Sequence, residues 1–313
     1  MTADKLAEEI LAGSPRAVAR GISLAENDIV QAQKLMKAIF SHTGKGLILG
    51  VTGAPGSGKS TLVDQLISRL KADDPRIGII AVDPSSPFTG GAILGDRIRM
   101  MRHSEDPDIF IRSMATRGHM GGLARATGEA IAVLEAAGKR IIVIETVGVG
   151  QDEVEVVKIA DLILVVLVPG AGDDIQVFKA GIMEIADIFV LNKADSMETA
   201  RTERQLRAML ELGLKDKALP PVCKTVATES SGIDELADAI RRVLAERKDK
   251  DRSARKKRLV EWMIRDIISE KALHEIGRRV TEREFRALVD RVHHRQIDPY
   301  SAAESLLERL KGL

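Results

Sequence analysis

An α/β fold, with a mostly parallel sheet covered by helices on both faces and helical extensions at both ends, is predicted by three observations. Short apolar runs at residues 77–82, 109–112, 141–144, 162–168, 188–191 and 222–226 alternate with amphipathic helical segments. Continuous apolar strands separated by helices read as a parallel sheet buried on both sides. Residues Gly53-Ala54-Pro55-Gly56-Ser57-Gly58-Lys59-Ser60 spell G-x-x-x-x-G-K-[ST] between an apolar run at 46–52 and a helical pattern from Thr61 to Leu70. That is the strand–loop–helix setting of a P-loop NTPase. After residue 247 the strands stop and only helical patterns follow.

The elements follow in order. Residues 1–45 form a polar, helical N-terminal extension. Ser14-Pro15 is an N-cap followed by proline at the first helical position. From Asn27 to Phe40 a stripe of Ile29, Val30, Leu35, Met36 and Ile39 has helical spacing. Residues 46–247 carry the sheet, and in such sheets ligands sit beyond the carboxyl ends of the strands. Residues 248–313 form a C-terminal helical region. It opens on a mixed-sign charge run at 246–258, which reads as a solvated helix, and continues with helical patterns at 259–268, 281–293 and 301–310. Thr281-Glu-Arg-Glu284 has the form of a capping box.

Composition narrows the function classes. The chain has 313 residues, 44% hydrophobic, enough for a full core. With 47 basic against 46 acidic residues, no net field draws nucleic acid, and at 3% aromatics there is little for bases to stack on. Cys223 is the only cysteine, so a disulfide framework is excluded and a reducing compartment fits. The first residues lack a signal-peptide apolar core, and no apolar run approaches the ~20 residues of a membrane span. The expectation is a cytoplasmic protein with no membrane or nucleic-acid partner.

The P-loop implies a nucleoside triphosphate. The stretch from Gly53 to Thr61 would wrap the phosphates with backbone amides at a helix N-terminus. Lys59 would reach the β- and γ-phosphates, and the Ser60 hydroxyl would bind Mg²⁺. Asn192-Lys193-Ala194-Asp195 follows the run at 188–191 and matches the N-K-x-D guanine pattern. The Asp195 carboxylate can accept from guanine N1–H and the 2-amino group together. Adenine would leave it unpaired, which discriminates strongly. Thr225-Val-Ala-Thr228 is expected to close over the base edge, with the Ala227 amide donating to guanine O6. GTP and GDP are therefore the expected nucleotides.

Mg²⁺ takes octahedral oxygen ligands and few carboxylates. Asp83 and Glu145 end apolar runs and Asp96 lies in a glycine-rich loop, so these acids are the candidates. Glu145-Thr-Val-Gly148 fits the place of the D-x-x-G switch motif, with Gly148 sensing the γ-phosphate. Ras-like enzymes place a glutamine directly after that glycine. Here Val149 stands there and Gln151 lies two positions on. Lys59, Asp96 and Gln151 are the expected catalytic residues, and intrinsic turnover is expected to be slow.

Three long strings carry a more specific resemblance: Asp83-Pro-Ser-Ser-Pro-Phe-Thr-Gly-Gly-Ala-Ile-Leu-Gly-Asp-Arg-Ile-Arg-Met100, Arg112-Ser-Met-Ala-Thr-Arg-Gly-His-Met-Gly-Gly122 and Glu145-Thr-Val-Gly-Val-Gly-Gln151. They resemble the signatures of the MeaB/ArgK family of GTPases, which includes the methylmalonic aciduria type A protein. The resemblance covers nearly the whole chain. It implies a SIMIBI-class GTPase, a homodimer, and a chaperone that protects an adenosylcobalamin-dependent acyl-CoA mutase, usually methylmalonyl-CoA mutase, and gates its cofactor loading. The family's metal positions correspond to Ser60, Asp83, Asp96 and Glu145. A segment coupling GTP to the mutase corresponds to residues 168–179, with Asp173 and Lys179. The chain has no D-x-H-x-x-G pattern, which argues against a cobalamin site of its own.

Two other readings are open to the same fold. A nickel-delivery GTPase would need Cys/His clusters at ligand spacing, whereas the six histidines are scattered and the adjacent pair His293-His294 reads as helix surface. A small-molecule kinase linked to amino-acid transport would need a second-substrate pocket that no motif marks.

Overall fold

The computed structural model describes residues 2–84, 103, 106–116, 122–146, 159–170, 185–213, 218–247 and 249–309. The expected site residues Asp96, Gly148, Gln151, Asp173 and Lys179, and the side chain of Asp83, lie outside what is described.

The described strands are β1 (Leu47–Gly53), β2 (Ile77–Pro84), β3 (Ile109–Thr116), β4 (Ile141–Thr146), β5 (Leu162–Leu167), β6 (Ile188–Asn192) and β7 (Val222–Thr225). They form one sheet in the order β3-β2-β4-β1-β5-β6-β7, and each pairing is parallel. Every residue of β4, β5 and β6 is buried. This explains why they read as unbroken apolar runs: both faces of a parallel sheet are covered, so alternation is lost.

Helices α1 (Ala3–Leu11), α2 (Pro15–Asn27) and α3 (Ile29–Ile39) precede the sheet. Between and after its strands come α4 (Lys59–Leu70), α5 (Gly122–Ala136), α6 (Thr199–Gly213) and α7 (Ile233–Glu246). On one face Leu49, Val51, Ile79, Val143, Leu164 and Val190 meet Leu62 and Leu66 of α4 and Leu236 and Ile240 of α7. Each such side chain contributes about 1.5–3 kcal/mol on burial. On the other face Leu134 of α5 lies against Gly78 of β2, and α2 and α3 pack on α5. Leu6, Ile10, Val18, Ile22, Leu35 and Ile39 are buried there, so the first three helices share the core of the sheet-bearing unit. Glu135 of α5 fastens the entry to β1 by accepting from the Gly44 and Gly46 amides at 2.8 and 2.7 Å.

At the amino edge of the sheet, carboxylates take up strand amides that have no ladder partner. Asp161 accepts from the Ile48 amide at 3.0 Å and Asp187 from the Ile163 amide at 2.8 Å. Arg247 joins the Asp161 carbonyl to the Asp187 carboxylate.

Some boundaries differ from the sequence reading. The third strand was expected to end at residue 112 but runs to Thr116, because its backbone stays in register with β2 up to the Thr116–Pro84 pair. The helix expected from Asn27 begins at Ile29, because the Asp28 carboxylate accepts from the Gln31 amide as its N-cap. The Ser14 cap with Pro15 behind it is present as read.

The chain divides into two compact units, Met1–Arg255 and Lys256–Leu313. The C-terminal helices are α8 (Asp249–Arg279), α9 (Glu282–His293) and α10 (Pro299–Glu308). α8 joins the expected solvated helix of the charge run at 246–258 to the helical pattern at 259–268 and continues beyond it to Arg279. The Thr281–Glu284 capping box forms, with the Glu284 amide donating to the Thr281 hydroxyl at 3.3 Å and the Thr281 amide to the Glu284 carboxylate at 2.8 Å. The Thr281 amide and hydroxyl, then Arg309, hold the Glu284 carboxyl down to about 2. Among the described residues no helix is long and apolar enough to cross a membrane.

Candidate nucleotide site

Two loops at the carboxyl edge of the sheet meet because β1, β5 and β6 are neighbours. The first joins β1 to α4. Gly53 has φ +147° and packs on β5, where an added Cβ would stand 2.1 Å from the Val166 carbonyl oxygen. A side chain there is excluded by backbone, which no rotamer change relieves. Gly58, at φ +85°, leaves only 2.4 Å between an added Cβ and the Asn192 amide nitrogen. The P-loop glycines therefore serve tight packing against the neighbouring strand and loop as well as access for a ligand.

Lys59 and Ser60 begin α4 and are 6% and 5% exposed. The Lys59 ammonium donates to the Gly53 carbonyl at 2.8 Å and the Ala54 carbonyl at 3.0 Å. Ser60 donates from its hydroxyl to the Glu145 carboxylate at 2.5 Å. The pairing of β1 with β4 produces that contact, since Val51 lies opposite Glu145. Asp83 stands at the end of β2, just past the Ala81–Glu145 rung on the other flank of β4. A hydroxyl and a carboxylate converging at a helix N-terminus, with no soft ligand between them, form a donor set that fits Mg²⁺. Among the described residues no group of three His, Cys, Asp or Glu side chains is placed to hold a metal.

The second loop follows β6. Asn192 is 2% exposed and makes three hydrogen bonds. It donates to the Ser57 carbonyl at 2.8 Å and accepts from the Thr225 hydroxyl at 3.1 Å and the Ala227 amide at 3.2 Å. Lys193, at φ +57°, donates to the Gly56 carbonyl at 3.0 Å. The Ala194 amide donates to the Thr225 carbonyl at 3.0 Å. Asp195 is exposed beside them. The N-K-x-D segment is thus tied to the P-loop through Asn192 and Lys193, and to the end of β7 through Thr225. The Ala227 amide, expected to reach guanine O6, donates instead to Asn192. Asn192 and Lys193 are expected from the sequence as GTP-binding residues; in the structure they hold the Ser57 and Gly56 carbonyls, contacts with no local signal because the partners lie 135 and 137 residues away in the chain.

The family model described as "Methylmalonyl Co-A mutase-associated GTPase MeaB" matches residues 18–279. The chain belongs to the MeaB family of GTPases. A protein of Pyrococcus abyssi is 49% identical to it over 315 residues, covering 99% of this chain and 97% of the relative. The mouse protein "Methylmalonic aciduria type A homolog, mitochondrial" is 32% identical over 331 residues, covering 99% and 80%. Among solved structures, one described as "Crystal structure of LAO/AO transport system kinase" aligns with TM-score 0.71 at 27% identity, covering 99% of this chain and 97% of that one. The resemblance read from the three sequence strings is to this same MeaB family. The histidines set aside in the sequence, His293 and His294, are exposed on the surface of this family member, with their rings 5.2 Å apart and edge-on.

Proposed function

We propose that this protein hydrolyses GTP and that its nucleotide state governs an adenosylcobalamin-dependent acyl-CoA mutase, methylmalonyl-CoA mutase being the first to test. The strapping of the N-K-x-D loop onto the P-loop by Asn192 and Lys193 carries the nucleotide half of the reading. A base gripped by Asp195 then has a fixed position relative to phosphates gripped by Lys59. The family's description and the name of the mouse relative support the mutase half.

In this mechanism Lys59 exchanges the Gly53 and Ala54 carbonyls for β- and γ-phosphate oxygens, and the P-loop amides and the N-terminus of α4 hold the rest of the chain. Ser60 and Glu145, with Asp83 and Asp96, would hold Mg²⁺. When bound, the ion neutralises phosphate charge. Water then attacks the γ-phosphate to give GDP and phosphate. With Val149 in place of the Ras-like glutamine, basal turnover is slow. The mutase raises it by acting on the segments around Asp96, Gln151 and Asp173–Lys179, with Gly148 reporting loss of the γ-phosphate. Linkage then requires nucleotide state to alter mutase affinity.

The test is steady-state GTP hydrolysis with and without methylmalonyl-CoA mutase, for wild type and Lys179→Ala. Stimulation of wild type is expected, and its loss in the variant at unchanged basal turnover. Equal stimulation of both would make Lys179 a surface residue. No stimulation by any adenosylcobalamin mutase would defeat the chaperone role. Recovery of all γ-phosphate as inorganic phosphate separates this reading from a kinase, which would leave it on an acceptor.

The C-terminal helices complete the proposal as a homodimer element. Val260, Ile264 and Ile268 recur on one side of α8, and Ile268 is 61% exposed; Phe285 and Val289 of α9 are also exposed. A chain segment of about 60 residues is only marginally stable alone, and self-association is the simplest cover for these exposed apolar side chains. Deletion of residues 260–313 is expected to yield a monomer by sedimentation that still binds GTP. A truncated dimer would remove these helices from the interface.

A further inference from the structure

Ser57 stands in the middle of the P-loop with both backbone groups engaged. Its amide donates to the Ala54 carbonyl at 3.1 Å, and its carbonyl accepts from the Asn192 side chain at 2.8 Å. Its hydroxyl is the exception. Ser57 is 1% exposed, and among the described residues the hydroxyl has no hydrogen-bond partner. A buried hydroxyl left unmet destabilises the arrangement that buries it, whereas an apolar group of the same shape carries no such cost.

Position turns that cost into a kinetic property. Ser57 is flanked by Gly56 and Gly58, at φ +75° and +85°, so it carries the only side chain between Pro55 and Lys59. The Gly56 carbonyl accepts from Lys193 and the Ser57 carbonyl from Asn192. Ser57 therefore lies on the seam where the phosphate-wrapping loop meets the N-K-x-D loop. A phosphate chain held by P-loop amides enters or leaves as the loop loosens at that seam, and loosening hands the hydroxyl to water. The closed loop bears the cost of the unmet hydroxyl and the loosened loop does not.

We propose that Ser57 is a gate that sets the rate of guanine-nucleotide exchange without setting affinity. The hydroxyl raises the free energy of the closed loop equally with nucleotide and without it. It leaves unchanged the loosened loop through which nucleotide passes. The barriers to entry and to release are then lowered by the same amount. This rests on the GTPase reading above and concerns the regulation of that same site.

The test follows N-methylanthraniloyl-GDP entering and leaving the full-length protein by stopped-flow fluorescence. A second readout is hydrogen exchange of the amides of residues 53–61 without nucleotide, which reports loop opening directly. Ser57→Ala is expected to slow release and association each about five- to tenfold, on the scale of one unmet buried hydroxyl. Kd should stay at the wild-type value, and P-loop amide exchange should slow to a similar extent. Thr127→Val is the control. The Thr127 hydroxyl, on α5 across the sheet, is also buried without a partner among the described residues. Its replacement should raise the melting temperature, as Ser57→Ala should, while nucleotide kinetics and P-loop exchange remain those of wild type. A wild type that binds no guanine nucleotide would defeat the GTPase reading, and hydrogen exchange would still decide the gate. Faster release with a weaker Kd in Ser57→Ala would make the hydroxyl a nucleotide ligand. Unchanged rates and unchanged amide exchange would make it a passive core group. Either result overturns the proposal, as does an equal slowing in Thr127→Val.

Discussion

Lys59→Ala is expected to lower kcat for GTP hydrolysis by about 100- to 1,000-fold, the usual cost of removing one preorganised charge-stabilising donor. The ammonium is buried and satisfied by two P-loop carbonyls, so it is ordered before any phosphate arrives. It gives up those two carbonyls when it turns to the phosphates, but it starts buried at the N-terminus of α4, and the positive charge held there is what the substitution removes. Ser60→Ala should cost a similar factor for a different reason. Its hydroxyl meets Glu145 at 2.5 Å, and without it one oxygen of the proposed Mg²⁺ set is gone. A Mg²⁺ titration separates the two. Ser60→Ala should need a higher Mg²⁺ concentration for half-maximal rate, whereas Lys59→Ala should keep the wild-type requirement. Circular dichroism on both variants checks that the sheet is intact. An unshifted Mg²⁺ requirement in Ser60→Ala would remove that hydroxyl from the metal set.

The sheet was legible because its strands are buried on both faces, so β4, β5 and β6 stand out as apolar runs bounded by polar residues. β3 was only half legible. Arg112 and Ser113 break its apolar run, and what keeps that stretch extended is pairing with β2, a partner sequence periodicity cannot report. The P-loop was readable because its residues are contiguous and its chemistry is local. The contacts that turn it into a site are not. Asn192 reaches Ser57, Lys193 reaches Gly56 and Ser60 reaches Glu145 only after the strand order β4-β1-β5-β6 has brought their loops together. The ion pair between Arg112 and Glu26 is less visible still. Each looks locally like an ordinary charged residue, and only the packing of α2 beside β3 joins them.

Asp195→Asn is expected to weaken GTP binding by about 10- to 100-fold and to favour xanthosine triphosphate over GTP, on the scale of losing hydrogen bonds to a charged group. The reasoning turns on what surrounds Asp195. Asn192 is committed to Ser57, Thr225 and Ala227, and Lys193 to Gly56. Asp195 is left on the exposed side of the same loop as the carboxylate that can read guanine N1–H and the 2-amino group. In xanthine the 2-amino donor becomes a carbonyl acceptor. A carboxylate opposes it acceptor to acceptor, while an asparagine amide supplies the missing donor. The substitution changes no hydrogen bond that ties the loop to the P-loop, so the melting temperature without nucleotide should stay near wild type. Titration with both nucleotides measures the exchange. Asn192→Ala provides the contrast: it should lose affinity for both, because it releases the N-K-x-D loop from Ser57 and from β7 together. If Asp195→Asn keeps wild-type GTP affinity, guanine is read elsewhere. If it loses both nucleotides as Asn192→Ala does, Asp195 shapes the loop rather than selecting the base.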